Sequence, residues 1–261
     1  MRADLYHRLV VAALVALLAV PVLATLAYSL AGNWGATILP DSFSVRWYLQ
    51  LWHDPRFLSA FGHSLLISVA TLLLSTLVIV PAVFVVFYRF PALDRTMNLL
   101  ILLPFAVPPV VSSVGLLQLY ADGPLPLVGT PWILIGCYFT IALPFMYRTL
   151  ADSLRGMNLH DLMDAAHLLG ASTPRAFLLV VAPNLRTGLM ASLFLSFSFL
   201  LGEFVFANIL VGTRYETLQV YLYSVRMTSG HFTSAIVMSY FVFTLVLTWF
   251  ATRLGKQESQ A

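Results

Sequence analysis

Six long runs, almost free of charge, set what this chain can become: residues 9–30, 64–88, 97–120, 132–150, 188–211 and 233–254. A helix of about 20 apolar residues crosses a hydrocarbon core about 30 Å thick, and each run is of that order. The chain is 60% hydrophobic and 10% charged, against about 25% charged in soluble domains. A water-soluble fold of this length has no interior large enough for so much apolar side chain. Lipid is therefore its solvent. The expected fold class is all-α: a polytopic membrane protein with six transmembrane helices in a single domain over residues 1–261. The leading "MRADLYHR" resembles the flank of a signal peptide, but the run behind it exceeds the roughly 7–15 apolar residues of such a signal. It reads as a retained helix.

Basic residues orient the helices. Arg2, Arg8, Arg89, Arg95, Arg148, Arg155, Arg175, Arg186, Arg253 and Lys256 fall on one side, and Arg46, Arg56, Arg214 and Arg226 on the other. Cytoplasmic loops collect Arg and Lys, so both termini are expected in the cytoplasm. The long connections, 31–63 and 151–187, then lie outside and inside respectively. A net charge of +3 suits loops facing anionic lipid and points away from nucleic acid. Cys137 is the only cysteine, so no intrachain disulfide forms.

Prolines mark irregular helix. "LLPFAVPPVVSSVG" places Pro104, Pro108 and Pro109 in the third run, followed by Ser112, Ser113 and Gly115. Each proline removes a backbone donor and crowds the preceding turn. In lipid, the freed carbonyls are tolerated where neighbouring helices or a water-lined cavity satisfy them. The third span is thus expected to be interior, and Pro81 and Pro144 point the same way more weakly.

A phosphate-cradling loop needs a lysine beside its glycines. The only lysine, Lys256, stands in "RLGKQESQA" with no glycine at the upstream spacing, so any energy from ATP must come from a partner. His7, His53, His63, His160, His167 and His231 are scattered, without H-E-x-x-H, C-x-x-C or G-x-S-x-G arrangements. No catalytic residue and no metal site is expected, and the chain does not read as an enzyme.

Glu203 is the only acidic residue inside an apolar run, where a carboxylate is costly and by default a functional candidate. At about 100° per residue, Gly188, Ser192, Ser196 and Glu203 share one stripe of the fifth run. Such a stripe lines a translocation path or forms a seam where helices approach closely, and both readings stand. Ser112, Ser113 and Gln118 are path candidates on the third run. Trp34, Trp47, Trp52, Trp132 and Tyr215 read as interfacial anchors.

The inner connection reads "NLHDLMDAAHLLGASTPRAFLLVVAP" from Asn158. Asn158 suits an N-cap, with Asp161 and Asp164 near the first turns. Leu159, Leu162, Met163, Ala166 and Leu169 form an apolar face, and Gly170 follows as a helix end prefers. Thr173 is then expected to cap, and Pro174 to open, a second helix that runs to Pro183. An amphipathic helix this short needs a surface. That surface is either lipid headgroups or another protein.

Asp164-Ala165-Ala166, three residues, Gly170, nine residues, then Val180, Ala182 and Pro183 resemble a known cytoplasmic signature. It is the E-A-A, x3, G, x9, I-x-L-P of the inner-membrane permeases of binding-protein-dependent ABC importers, the MetI-like family. Asp replaces Glu, Val replaces Ile and Ala replaces Leu. "LPFAVPP" resembles that family's proline-bearing third span, and "LGEF" at 201–204 its penultimate span. The resemblance implies a type I ABC importer permease fold with a cytoplasmic coupling helix. In it, Asp164, Ala165 and Ala166 face an ATPase, Gly170 makes the turn and Pro183 closes the signature. It also implies two copies of that ATPase, which use ATP and Mg while this chain binds no cofactor. Further implied partners are a homologous permease subunit or a second copy of this chain, a periplasmic or lipid-anchored solute-binding protein, and the lipid of a bacterial inner membrane. The penultimate span looks like those of permeases for polyamines, iron or phosphonate-type solutes, which implies a small polar or charged solute. Two alternatives stand beside it. An ion-gradient-driven secondary transporter predicts more intramembrane ionisable residues and an internal repeat. A non-transporting membrane scaffold leaves the signature without a purpose.

Overall fold

The computed structural model describes residues 2–122 and 124–257; of these, the side chains of residues 2–5, 251, 252 and 254–257 lie outside the described ones, Arg2 and Lys256 among them. In chain order the elements are α1 (Arg2–Ser29), α2 (Arg46–Trp52), α3 (Pro55–Arg89), α4 (Leu93–Leu100), α5 (Leu103–Ala106) and α6 (Pro109–Tyr120). There follow α7 (Pro131–Arg155), α8 (Leu159–Leu168), α9 (Thr173–Ala176), a π-helical turn (Phe177–Val181) and α10 (Ala182–Leu201). A second π turn (Ala207–Val211), α11 (Leu218–Val225) and α12 (Gly230–Gln257) complete the chain. Among the described residues, β pairing is confined to one isolated bridge, Ala31 to Phe43.

Among the described residues, five helices are long and apolar enough to cross a membrane: Tyr6–Ser29, Pro55–Arg89, Pro131–Arg155, Thr173–Leu201 and Gly230–Phe250. The third apolar run is different. It forms α4, α5 and α6, with an 85° bend between Leu93–Ala106 and Pro109–Tyr120. The cause is local. A residue before proline is driven from helical to extended backbone; Val107 before Pro108 has ψ 126°, and Pro108 before Pro109 has ψ 136°. Counted as one broken span, this pair is the sixth. Pro21, Pro81 and Pro144 each stay inside an unbroken helix.

Contacts along the chain define two compact units: Met1–Ser59 with Tyr221–Leu245, and Ala60–Val220 with Val246–Ala261. In the first, His231 at the start of α12 stacks on Tyr28 with ring centroids 4.1 Å apart. The backbone N–H of Trp34 donates to its Nε2 (3.2 Å), so Nδ1 carries the proton and donates to the Tyr28 carbonyl at 2.8 Å. One imidazole thus ties the end of α1, the following loop and the start of α12 together. Trp34 and Trp47 spend their indole N–H groups on the carbonyls of Thr37 and Ala31, so both indoles also brace the loop.

In the second unit α7 is the central element, buried at intervals from Ile133 to Leu154. α10 packs along it. They come close at Gly188, where an added Cβ would overlap Ser153 Oγ and meet Ser153 Cβ at 3.1 Å. A side chain there would displace the Ser153 hydroxyl and crowd its Cβ.

Candidate functional site

The inner connection forms a hairpin built from α8, the turn at Gly170 and α9. Leu159, Met163 and Ala166 of α8 are buried in one cluster with Leu154, Ala176 and Val181, and His160 packs on the Tyr88 ring at 5.7 Å. The opposite side, with Asp161, Asp164 and Ala165, is exposed. Leu168 and Leu169 are 89% and 90% exposed, a heavy load of apolar surface on so short an element.

Three expectations change. Ala166, which the resemblance implies faces an ATPase, is buried with the apolar face that helical spacing gave it, three residues from Met163 on the same side of the helix. Leu169 leaves the apolar face, since the helix ends at Leu168 and Leu169 already turns away. The N-cap of α9 is Ser172, whose backbone is extended, and not Thr173. Thr173 Oγ1 instead lies 3.5 Å from His167 Nε2. Asn158 stands at the N-cap of α8 without a side-chain cap bond.

Gly170 has φ +82°. The Gly170 N–H donates to the His167 carbonyl (2.9 Å) and the Ala171 N–H to the Ala166 carbonyl (3.0 Å), closing the helix as a left-handed glycine does. Nothing lies within 4 Å of where a Cβ would stand. The demand for glycine within this chain is therefore conformational and not steric.

Pro183 is exposed near the start of α10. It cannot donate, and its ring would crowd the Leu179 carbonyl in a regular helix. The π turn just before it widens the backbone, with the Ala182 N–H reaching the Phe177 carbonyl. Asn184 Nδ2 takes the Val180 carbonyl at 2.7 Å.

The second feature is a cavity of about 870 Å³ among α5, α6, α7 and residues 202–206, within the range of small-molecule sites. Ser112, Thr140 and Glu203 supply polar lining, while Phe105, Trp132 and Phe199 contribute to an apolar remainder. Of the path candidates, Ser112 and Glu203 are thus brought together, while Gln118 does not line the cavity. Ser113 is buried, with its Oγ on the Pro109 carbonyl at 2.7 Å. Ser192 and Ser196 are fully buried on the stripe that carries Gly188, and Ser192 Oγ donates to the Leu189 carbonyl at 2.8 Å. Their burial favours the seam reading.

Glu203 parts from that stripe because α10 stops at Leu201 and a helix restarts two residues after Glu203. Counting one unbroken helix to residue 211 missed this. Oε1 accepts the Phe206 N–H (2.8 Å) and Oε2 the Ala207 N–H (3.1 Å). Tyr138, buried on α7, lies beside this carboxylate. The first N–H groups of a helix have no internal partner, and this carboxylate satisfies two of them as a capping side chain does. Sequence reasoning missed Tyr138 altogether. The usable signal for the cap was Gly202-Glu203 ahead of a fresh apolar turn.

Comparison with known proteins follows the same lines. The profile of the family described as "Binding-protein-dependent transport system inner membrane component" matches residues 78–259. The chain is 26% identical over 244 residues to the putative 2-aminoethylphosphonate transport system permease protein PhnV of Salmonella typhimurium (strain LT2), covering 92% of this chain and 90% of that one. It is 26% identical over 225 residues to the spermidine/putrescine transport system permease protein PotC of Escherichia coli (strain K12), covering 84% and 83%. Among solved structures, a bacterial ABC transporter involved in the import of the acidic polysaccharide alginate superposes with a TM-score of 0.68 at 16% identity, over 98% of both chains. That likeness shows a shared fold. With a helical membrane architecture, an outward-facing hairpin and a family match over most of its length, the chain belongs to the inner-membrane components of binding-protein-dependent transport systems.

Proposed function

We propose that this chain is the permease of an ATP-driven importer, powered through the α8–Gly170–α9 hairpin by ATPase subunits that hold the ATP and Mg. The observation that carries the reading is the two-sidedness of α8. Leu159, Met163 and Ala166 anchor it to the bundle, while Asp164, Ala165, Leu168 and Leu169 stand in the open. In this reading both termini are cytoplasmic, a second permease completes the pathway, and a solute-binding protein delivers from the other side. The cavity at Ser112 and Glu203 lies on the path. The solute is small and polar or charged, of the polyamine or aminophosphonate kind after which the relatives are named.

Site-directed cross-linking tests the docking. Asp164→Cys and Ala165→Cys, in a chain with Cys137 replaced, should each trap a P-loop ATPase in native membranes. Ile38→Cys, which is 94% exposed elsewhere, should not. Failure of both hairpin positions to trap an ATPase would overturn the proposal.

A further inference from the structure

A second pocket, about 680 Å³, lies between α4 and α7 and is lined by Asp94, Arg95, Asn98, Leu99, Leu102 and Arg148, among others. Its charges do not cancel. Asp94 is already occupied: Oδ2 accepts Arg155 at 2.6 Å, while Oδ1 accepts the Tyr147 hydroxyl (3.1 Å) and Asn98 Nδ2 (2.9 Å). Arg95 and Arg148 have no ion-pair or hydrogen-bond partner among the described residues. Two guanidinium groups therefore converge on one concavity with no anion of this chain left to meet them.

Both arginine side chains are exposed, so each is open to a ligand from outside the chain, and Arg148 lies seven residues before the Arg155 that ends α7. Beside the arginines, Leu99 and Leu102 are 65% and 40% exposed, giving apolar surface next to the charge. Phosphate with an attached acyl chain matches both halves of this surface. Guanidinium forks bind phosphate oxygens in pairs, and basic pockets between membrane helices hold anionic headgroups.

We infer that Arg95 and Arg148 form a binding site for the phosphate headgroup of an anionic phospholipid, with Leu99 and Leu102 against its acyl chain. The inference rests on the membrane-spanning fold and not on which solute is carried, so failure of ATPase cross-linking would leave it standing.

Native mass spectrometry of the full chain, released from nanodiscs of mixed phosphatidylglycerol and phosphatidylcholine with matched acyl chains, tests it. The wild type should retain phosphatidylglycerol over phosphatidylcholine by about tenfold. Arg95→Gln with Arg148→Gln should bring the two lipids to parity. Arg95→Lys with Arg148→Lys should keep most of the preference, which guards against a folding defect in the glutamine variant. Equal retention by the wild type, or an undiminished preference in a folded glutamine variant, would overturn the site. Displacement of the lipid by inorganic phosphate alone would assign the pocket to a free anion and overturn the lipid. So would a photo-cross-linker at Leu99 that labels protein and no lipid in the assembled transporter.

Discussion

Arg155, the last residue of α7, donates to Asp94 in the first turn of α4 at 2.6 Å. The pair joins the helix that leads into α8 to the broken third span. α4 is too short to be stable alone, so its seat depends on contacts of this kind. Both side chains are partly exposed, 47% and 24%, and solvent screens the charge attraction. Arg155→Gln should cost less than about 1 kcal/mol in thermal melts. Asp94→Ala removes an acceptor shared by Arg155, Asn98 and Tyr147 and leaves the Tyr147 hydroxyl without one, so it should cost about 1–3 kcal/mol. Equal losses would show that Tyr147 and Asn98 contribute nothing.

At Gly170 the open space around the missing Cβ separates two effects that usually travel together. Gly170→Ala should cost about 1–2 kcal/mol from the left-handed backbone alone, and Gly170→Asn less, since Asn tolerates that region. Gly170→Glu should insert and melt much as Gly170→Ala does, yet lose uptake and ATPase capture. Wild-type uptake by the Glu variant would remove the hairpin from the transport cycle.

Glu203 lies in the cavity wall, but its two oxygens already hold the Phe206 and Ala207 N–H groups. Glu203→Ala should destabilise by about 0.5–2 kcal/mol, the usual worth of a helix cap, and Glu203→Gln by less. Uptake should fall in maximal rate while competition between solutes stays the same. A changed order of preferred competitors would make Glu203 a solute contact.

Gly188 and Ser153 make a matched test of the seam. Gly188→Ala should lower stability by about 1–3 kcal/mol through overpacking, and adding Ser153→Ala should recover part of it by removing the overlapping Oγ. Additive losses in the double variant would mean the two helices do not meet there.

The long apolar runs were legible because bilayer thickness leaves a helix few alternatives. The break at Pro108-Pro109 was legible in kind but not in degree, since proline dictates local backbone while neighbours set the angle. The hairpin came through in outline: Gly170 punctuates it and helical spacing puts Ala166 with Leu159 and Met163, but the residues that face meets, Leu154 and Val181, are far apart in sequence. The cavity stayed hidden, because helical spacing assigned Ser192, Ser196 and Glu203 to one face on the assumption of an uninterrupted helix. Gly202 ends that helix, and the Phe206 and Ala207 N–H groups of the next one take the carboxylate.

The widened turn at Phe177–Val181 has a geometric corollary. Relative to a regular α-helix it accommodates an extra residue, so α10 is turned about its own axis by roughly 100° from where a straight continuation of α9 would put it. The stretch acts as a phase shifter, letting the hairpin and the Gly188 face each find their own bearing. Deleting one residue there would leave the chain free to seat either end but not both.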